Sequence, residues 1–262
     1  MTQFDGSARG CAIAVMAKAP MPGRVKTRLV PPLTPDMAVA LSASFLRDIT
    51  ENITLAARMA PIDGYVAYAP RGSEALFDGM LAPGTRLVLA DGADIAAPGV
   101  TGFGRCLLHA AQSLFAKGHA TVCLLNADSP NLPTRLLSQA AAALAEDGDR
   151  IVIGPAEDGG YYVLGLKAPS PYLFERVPWS TNTVARETRR RAGAAGLPIV
   201  ELDPWYDVDD GPALQRLCRD MASPPRNGLA PYQASATADC IARLQLHRIL
   251  TEAADSMPGS AA

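Results

Sequence analysis

Six short apolar runs punctuate the chain: "CAIAVMA" from Cys11, "GYVAYA" from Gly64, "TRLVLA" from Thr85, "TVCLLNA" from Thr121, "RIVIGPA" from Arg150 and "YYVLGL" from Tyr161. A seventh, "LPIVELD" from Leu197, is weaker. Each has strand length and nearly continuous apolar character, as a strand needs when both faces of its sheet are covered. Between the runs the period becomes helical. Thr34-Pro35-Asp36 supplies an N-cap, a first-turn proline and a first-turn acid, after which Met37, Leu41, Phe45 and Ile49 recur at near-helical spacing. Arg105 to Lys117 repeats apolar residues on one face and stops at Gly118, Thr134 opens an Ala/Leu-rich helix, and Asn182 stands at the start of "TVARETRRRAG". The alternation predicts an α/β layered domain with a mostly parallel sheet.

Two stretches break the alternation. Asp91 to Gly104, "DGADIAAPGVTGFG", reads as a long loop, and "ASPPRNGLAPYQ" follows Met221. A last helix is expected from Ser235 to about Ala254, with Ile241, Leu244 and Ile249 on one face. Residues 1–222 are therefore expected to form one domain. Residues 223–262 form a C-terminal extension with one helix, packed on that domain or, in a homodimer, on a second subunit.

Composition narrows the function. Of 262 residues, 48% are hydrophobic and 19% charged, which provides for a sizeable core and excludes bulk disorder. A net charge of -2 argues against a nucleic-acid partner, so any basic cluster is local and suits small anions. The five cysteines show no C-x-x-C pair, and Cys11 and Cys123 lie inside apolar runs, as in a protein of a reducing compartment. "MTQFDGSARG" lacks the basic-then-apolar order of a signal peptide, and no apolar run approaches the roughly 18 residues of a membrane span. A cytoplasmic protein without a membrane span is expected.

In open α/β sheets ligands collect outside the carboxyl ends of the strands, so the residues after each run carry the candidate chemistry. After the first run comes "KAPMPGRVKTRL", Lys18 to Leu29. Gly23 permits close backbone approach to a ligand, and Pro20 and Pro22 limit the loop before binding. Lys18, Arg24, Lys26 and Arg28 can hold phosphate oxygens, arginine as a planar fork and lysine as a point charge. The alternative is a solvated basic turn. In "LLNADSPNLP", Asp128 stands where the fourth run ends, placed either to hold Mg²⁺ or Mn²⁺ or to close an Asp-Ser turn on its own backbone.

"WYDVDDGPAL" crowds Asp207, Asp209 and Asp210 just before a helix. Asp210 fits the N-cap, with Pro212 just inside. The other two repel unless something cationic sits between them, and with Asp128 they would make an oxygen site for one hard cation. "GPAEDGGYYVLGL" carries D-G and G-G, both hairpin turn signals. Its other reading brings Gly159 and Gly160 against a ligand, with Glu157 or Asp158 touching a hydroxyl or acting as a base. Ser180, Thr181 and Asn182 either cap a helix or donate to an acceptor.

Taken in order, "AKAPMPGRVKTRL", "NADSPNLP", "GPAEDGGYYVLGL", "PWSTNTVARET" and "DVDDGPAL" resemble the DUF2064 group of bacterial proteins. These are glycosyltransferase-like members of the GT-A-fold nucleotide-diphospho-sugar transferases, relatives of the molybdenum-cofactor and phospholactate nucleotidylyltransferases. The resemblance runs from about Ala12 to Leu217. It implies a three-layer Rossmann-like GT-A domain with a mixed, mostly parallel sheet. It also implies that Lys18, Arg24, Lys26 and Arg28 meet nucleotide phosphates, that Asp128 and Asp209 hold the metal with Asp207 beside them, and that Asp158, Gly159 and Gly160 lie on the acceptor side. Two features depart from the family pattern. "DVDDGPAL" stands where D-V-D-T-P-E-D-L is common, and "ADIAAPGVTGFGRCLL" replaces a compact G-D-L-G-x-R-M-like segment near the nucleotide base, with only Gly104-Arg105 alike.

The expected function is that of a Mg²⁺- or Mn²⁺-dependent transferase with a nucleotide co-substrate. The cations of the first loop suit a triphosphate whose pyrophosphate must leave, which favours nucleotidyl transfer from an NTP to a small anionic acceptor. Lys26 and Arg28 would neutralise departing charge beside the metal, and Asp158 would act on the acceptor side, touching a hydroxyl or serving as a base. Glycosyl transfer from an NDP-sugar would use the same loop and metal. A non-catalytic nucleotide-binding subunit is a third reading, motivated by the extension and by the altered Asp210 region.

Overall fold

The computed structural model describes residues 9–222 and 229–255. The seven apolar runs form one sheet: β1 (Arg9–Lys18), β2 (Ile62–Ala69), β3 (Arg86–Leu89), β4 (His119–Leu125), β5 (Ile151–Pro155), β6 (Tyr161–Leu166) and β7 (Ile199–Glu201). Their order is β3-β2-β1-β4-β6-β5-β7. β6 runs antiparallel to both β4 and β5, while the other pairs are parallel. The reason lies in the connection. Residues 156–160 form a tight turn at the D-G-G signal, and a turn that short can only reverse the chain. The sheet is mixed and mostly parallel, as the sequence predicts.

Helices cover both faces. β1 shows how the sequence sorts them. Cys11, Ile13, Val15 and Ala17 enter one core with Leu41, Phe45 and Ile49 of α1 (Pro35–Ala56), Leu136 and Leu137 of α3 (Thr134–Ala145), and Leu214 and Leu217 of α5 (Gly211–Ala222). Ala12 and Ala14 point the other way, to Leu107, Leu108 and Ala111 of α2 (Phe103–Ala116) and Ala192 of α4 (Val184–Ala194). This period-two alternation along a strand buried on both sides produces the three layers. The α1 start is as expected: Thr34 Oγ1 accepts the backbone N–H of Met37 at 3.2 Å, with Pro35 and Asp36 in the first turn. At α4 the expectation shifts, because the helix opens at Val184 rather than at Asn182.

The single helix expected from Ser235 to about Ala254 is two, α6 (Ser235–Arg243) and α7 (Leu246–Asp255). Gln245 takes φ 51, which no continuous right-handed helix accommodates. α6 packs against α1, and fully buried Asp48 of α1 caps it by accepting the N–H groups of Ala236 and Thr237 at 3.0 and 2.7 Å. All five cysteines are free, and Cys11 and Cys123 are buried. The reading of "MTQFDGSARG" falls largely on residues 1–8, and half of "ASPPRNGLAPYQ" on residues 223–228, outside the described residues.

Candidate functional site

Neighbouring strands β1 and β4 end on the same edge of the sheet, and their following loops face each other across a cleft of about 330 Å³. Lys18, Arg24, Lys26, Arg28, Asp128 and Asp209 all line it. Much of the sheet side is small, with Ala17, Ala67, Ala69 and Ala90 beside Met16, so room remains above the strand ends. Phe103 and Cys106 of α2 complete the wall. Phe103 is 46% exposed, unusual for a ring of that size, and rests edge-on against Trp179 at 5.8 Å. Gly104 permits that arrangement, since a Cβ there would sit 2.8 Å from Trp179 Nε1. Gly23 lies outside the lining, in an open turn with φ 71.

Lys26 occupies the centre. Its ammonium donates to Asp128 Oδ1, to the Val208 carbonyl at 2.6 Å and to Asp209 Oδ1 at 3.2 Å, and lies 5.0 Å from the Phe45 ring centroid. The side chain is 5% exposed, against 34% for Asp128 and 40% for Asp209. The backbone of Lys26 is left-handed, φ 47 and ψ 39, which for a residue with a Cβ costs on the order of 1–3 kcal/mol and persists where the surroundings over-determine it. Fully buried Leu29, three residues on, anchors the same turn in the core. Arg28, 71% exposed on its side chain, stands 3.7 Å from Asp209 Oδ2.

Backbone and buried side chains place the two acids. The Asp128 carbonyl receives Val208 N–H at 2.8 Å. Buried Ser129 donates to the Tyr206 carbonyl at 2.9 Å, and buried Asn131 joins the Tyr206 hydroxyl at 2.8 Å and Trp205 Nε1 at 3.2 Å. The segment after β7 is thus tied to the loop after β4. Asp210 caps α5, its Oδ1 accepting Ala213 N–H at 2.9 Å. That leaves Asp207 and Asp209 as the acids without a capping role.

Asp207 and Asp158 line a second cleft of about 390 Å³, which shares Arg28 and Asp209 with the first. Burial, then the carboxylates of Asp158, Asp209 and Asp128, push Asp207 up to about 6. Asp158 Oδ1 accepts Gly160 N–H at 2.8 Å, an Asx turn closing the hairpin. Gly159, at φ 91, answers to sterics: a Cβ there would lie 2.1 Å from the Asn182 carbonyl oxygen. Neither Gly159 nor Gly160 lines either cleft. Asn182 is a backbone neighbour of that glycine rather than a helix cap, and Thr183 precedes α4 without a side-chain cap.

Two groups escaped the sequence reading. Phe103 had only a weak signal, an aromatic between two glycines after a long loop. Arg216 of α5 forms a paired contact with Glu157, at 2.5 and 3.0 Å, and stacks 3.9 Å over Tyr206. That pair spans two distant elements, and nothing local announces it.

Among the described residues no three His, Cys, Asp or Glu side chains cluster closely enough to hold a metal ion by themselves. The acceptors around the Lys26 ammonium are nevertheless all oxygens, two carboxylates and a carbonyl, already converging on a cation. That chemistry fits a hard divalent ion whose remaining positions are filled by phosphate or water.

The mixed, mostly parallel sheet with helices on both faces is a Rossmann-like α/β fold, shared with a solved transferase structure. Residues 52–181 match the model of the DUF2064 family, described as an uncharacterized protein conserved in bacteria, so the expected likeness is borne out. The loops carrying Lys26 and Asp209 lie outside that match. A solved structure from Desulfovibrio desulfuricans G20, provisionally named a nucleotide-diphospho-sugar transferase, is 26% identical with a TM-score of 0.75 and covers 92% of this chain and 97% of its own. More distant are a cytidylyltransferase from Leptospira borgpetersenii (11% identity, TM-score 0.48, 92% and 95% covered) and glucosyl-3-phosphoglycerate synthase from Mycobacterium tuberculosis (14%, 0.47, 96% and 82%). At that distance neither bears on chemistry. No curated protein matches the chain. No helix among the described residues is long and apolar enough to cross a membrane.

Proposed function

We propose that the protein is a nucleotide-dependent transferase and that the first cleft binds the polyphosphate of its donor. The observation that carries this reading is the convergence of Lys18, Arg24, Lys26 and Arg28 with Asp128 and Asp209 on one cleft at the strand ends. Exposed Arg24, Arg28 and Lys18 would hold phosphate oxygens, and Phe103 offers a face for the base. Asp128 and Asp209, with the Val208 carbonyl, would hold Mg²⁺ or Mn²⁺. A metal bound there would supply neutralisation of charge on the departing phosphates. Arg28, on the wall between the clefts, would orient the reacting phosphate toward the acceptor.

The second cleft would take the acceptor. Its lining carries Glu157, Asp158, Asp207, Asp209 and Asp210 against Arg28, Arg216 and Arg219. Glu157 is engaged by Arg216. That excess of carboxylates favours a neutral, hydroxyl-bearing acceptor over the small anionic one suggested by sequence, with Asp158 or Asp207 taking the hydroxyl proton. Nucleotidyl transfer from an NTP remains our first reading, supported by the number of cations; glycosyl transfer from an NDP-sugar would use the same groups. Incubation with NTPs and with NDP-sugars in Mg²⁺ separates them: pyrophosphate release marks the first and NDP release the second. Absence of any thermal shift with either donor class, in folded protein, overturns both.

A further inference from the structure

The ammonium of Lys26 can donate three hydrogen bonds, and all three are made: to Asp128, to the Val208 carbonyl and to Asp209. No donor remains for a phosphate. This departs from the expectation that Lys26 is, like its neighbours in the loop, a free phosphate ligand. Its side chain is nearly buried, whereas both partner carboxylates are part-exposed to the cleft. A divalent ion entering from the cleft meets the two acids with their Oδ1 atoms already engaged by a positive charge. Both cations cannot share those oxygens at close range without strong repulsion.

We propose that Lys26 is the resident cation of the Asp128–Asp209 pair and that a divalent metal binds there only by displacing it. The proposal rests on the metal reading above and adds an order to it. The Lys26 ammonium sits between the acids, where it cancels their mutual repulsion. Metal alone must then break three hydrogen bonds and strand an ammonium beside a second cation. Metal arriving with a polyphosphate gives the released ammonium new acceptors within reach of its four-carbon stem. Lys26 therefore makes metal and polyphosphate binding mutually favourable, and discriminates against metal on its own.

The test uses Mn²⁺ without nucleotide, its free concentration followed by electron paramagnetic resonance. Three full-length proteins are compared: wild type, Lys26→Met, and Lys26→Met with Asp128→Asn. Removing the competing ammonium should tighten Mn²⁺ binding by about tenfold or more, since charge-assisted hydrogen bonds no longer oppose it, and the added Asp128→Asn should abolish the gain. Equal affinity in wild type and Lys26→Met, lost with Asp128→Asn, overturns the displacement and leaves the metal site standing. No Mn²⁺ binding by folded Lys26→Met overturns both. A second measurement needs no variant. In wild type, trace acetylation read by mass spectrometry should find Lys26 unreactive and exposed Lys18 reactive, and Mn²⁺ alone at saturating concentration should unmask Lys26. Continued protection of Lys26 with Mn²⁺ bound overturns the displacement independently.

Discussion

The carboxylate of Asp48, fully buried in α1, accepts the backbone N–H of Thr237 at 2.7 Å, and with it the start of α6. Ala234, at the helix N-cap, supplies no side-chain cap, so one acid from a distant helix does that work. Burial pushes the Asp48 carboxyl up, and the bonds from Thr237 and Ala236 pull against that rise. Asp48→Ala should lower stability by about 1–2 kcal/mol, the usual scale of a lost cap. Asp48→Asn, which keeps one acceptor, should lose less. Urea unfolding of both variants checks the order; an unaffected Asp48→Ala protein would show that α6 holds by apolar packing alone.

Gly159 is required by contact with a backbone. A Cβ there meets the Asn182 carbonyl oxygen at 2.1 Å, and φ 91 is hostile to any side chain. Gly159→Ala should cost about 2–4 kcal/mol and lower the melting temperature before any effect on ligands is considered. A variant of normal stability that merely loses ligand binding would return Gly159 to the role suggested by its motif.

The two sides of the first cleft should fail differently. Arg24→Ala should weaken tripolyphosphate and nucleotide binding alike, by roughly tenfold, because it removes a charged donor. Phe103→Ala should leave tripolyphosphate affinity unchanged and weaken nucleotide binding by roughly tenfold, the scale of a lost base stack. Calorimetric titration with both ligands decides. Parallel losses from Phe103→Ala would place the base elsewhere.

Asp207 carries a pH signature. Its carboxyl is pushed up to about 6 from the usual 3.8, so the folded protein holds that proton more tightly than the unfolded chain. The associated stability is present below the lower value and is lost as pH rises through the higher one. Melting temperatures of wild type and Asp207→Asn, compared in metal-free buffer from pH 4 to 8, should diverge in favour of the variant as pH rises from about 4 to about 6, with a constant difference above. A difference constant over the whole range would mean that Asp207 titrates as an ordinary surface acid.

The strands were legible because a sheet covered on both faces demands unbroken apolar runs, and all seven such runs are strands. The antiparallel return of β6 was legible at Asp158-Gly159-Gly160, since turn chemistry is local. The break between α6 and α7 was not: Gln245 takes its left-handed backbone without the glycine or proline that would mark it. The candidate acids and cations could be named, but their pairing could not. Lys26 meets Asp128 and Val208 across 102 and 182 positions of chain, and only the folded sheet brings three loop ends to one point. The four basic residues of one loop look equivalent in sequence, while in the fold one is enclosed and the others face the cleft.

Arg28 and Asp209 belong to both clefts at once, 3.7 Å apart on the wall between them. Whatever reorients that pair on one side reshapes the other side in the same movement. A donor and an acceptor held in the adjacent compartments would therefore meet at this pair. If binding on one side alters affinity on the other, linkage makes the factor the same in both directions.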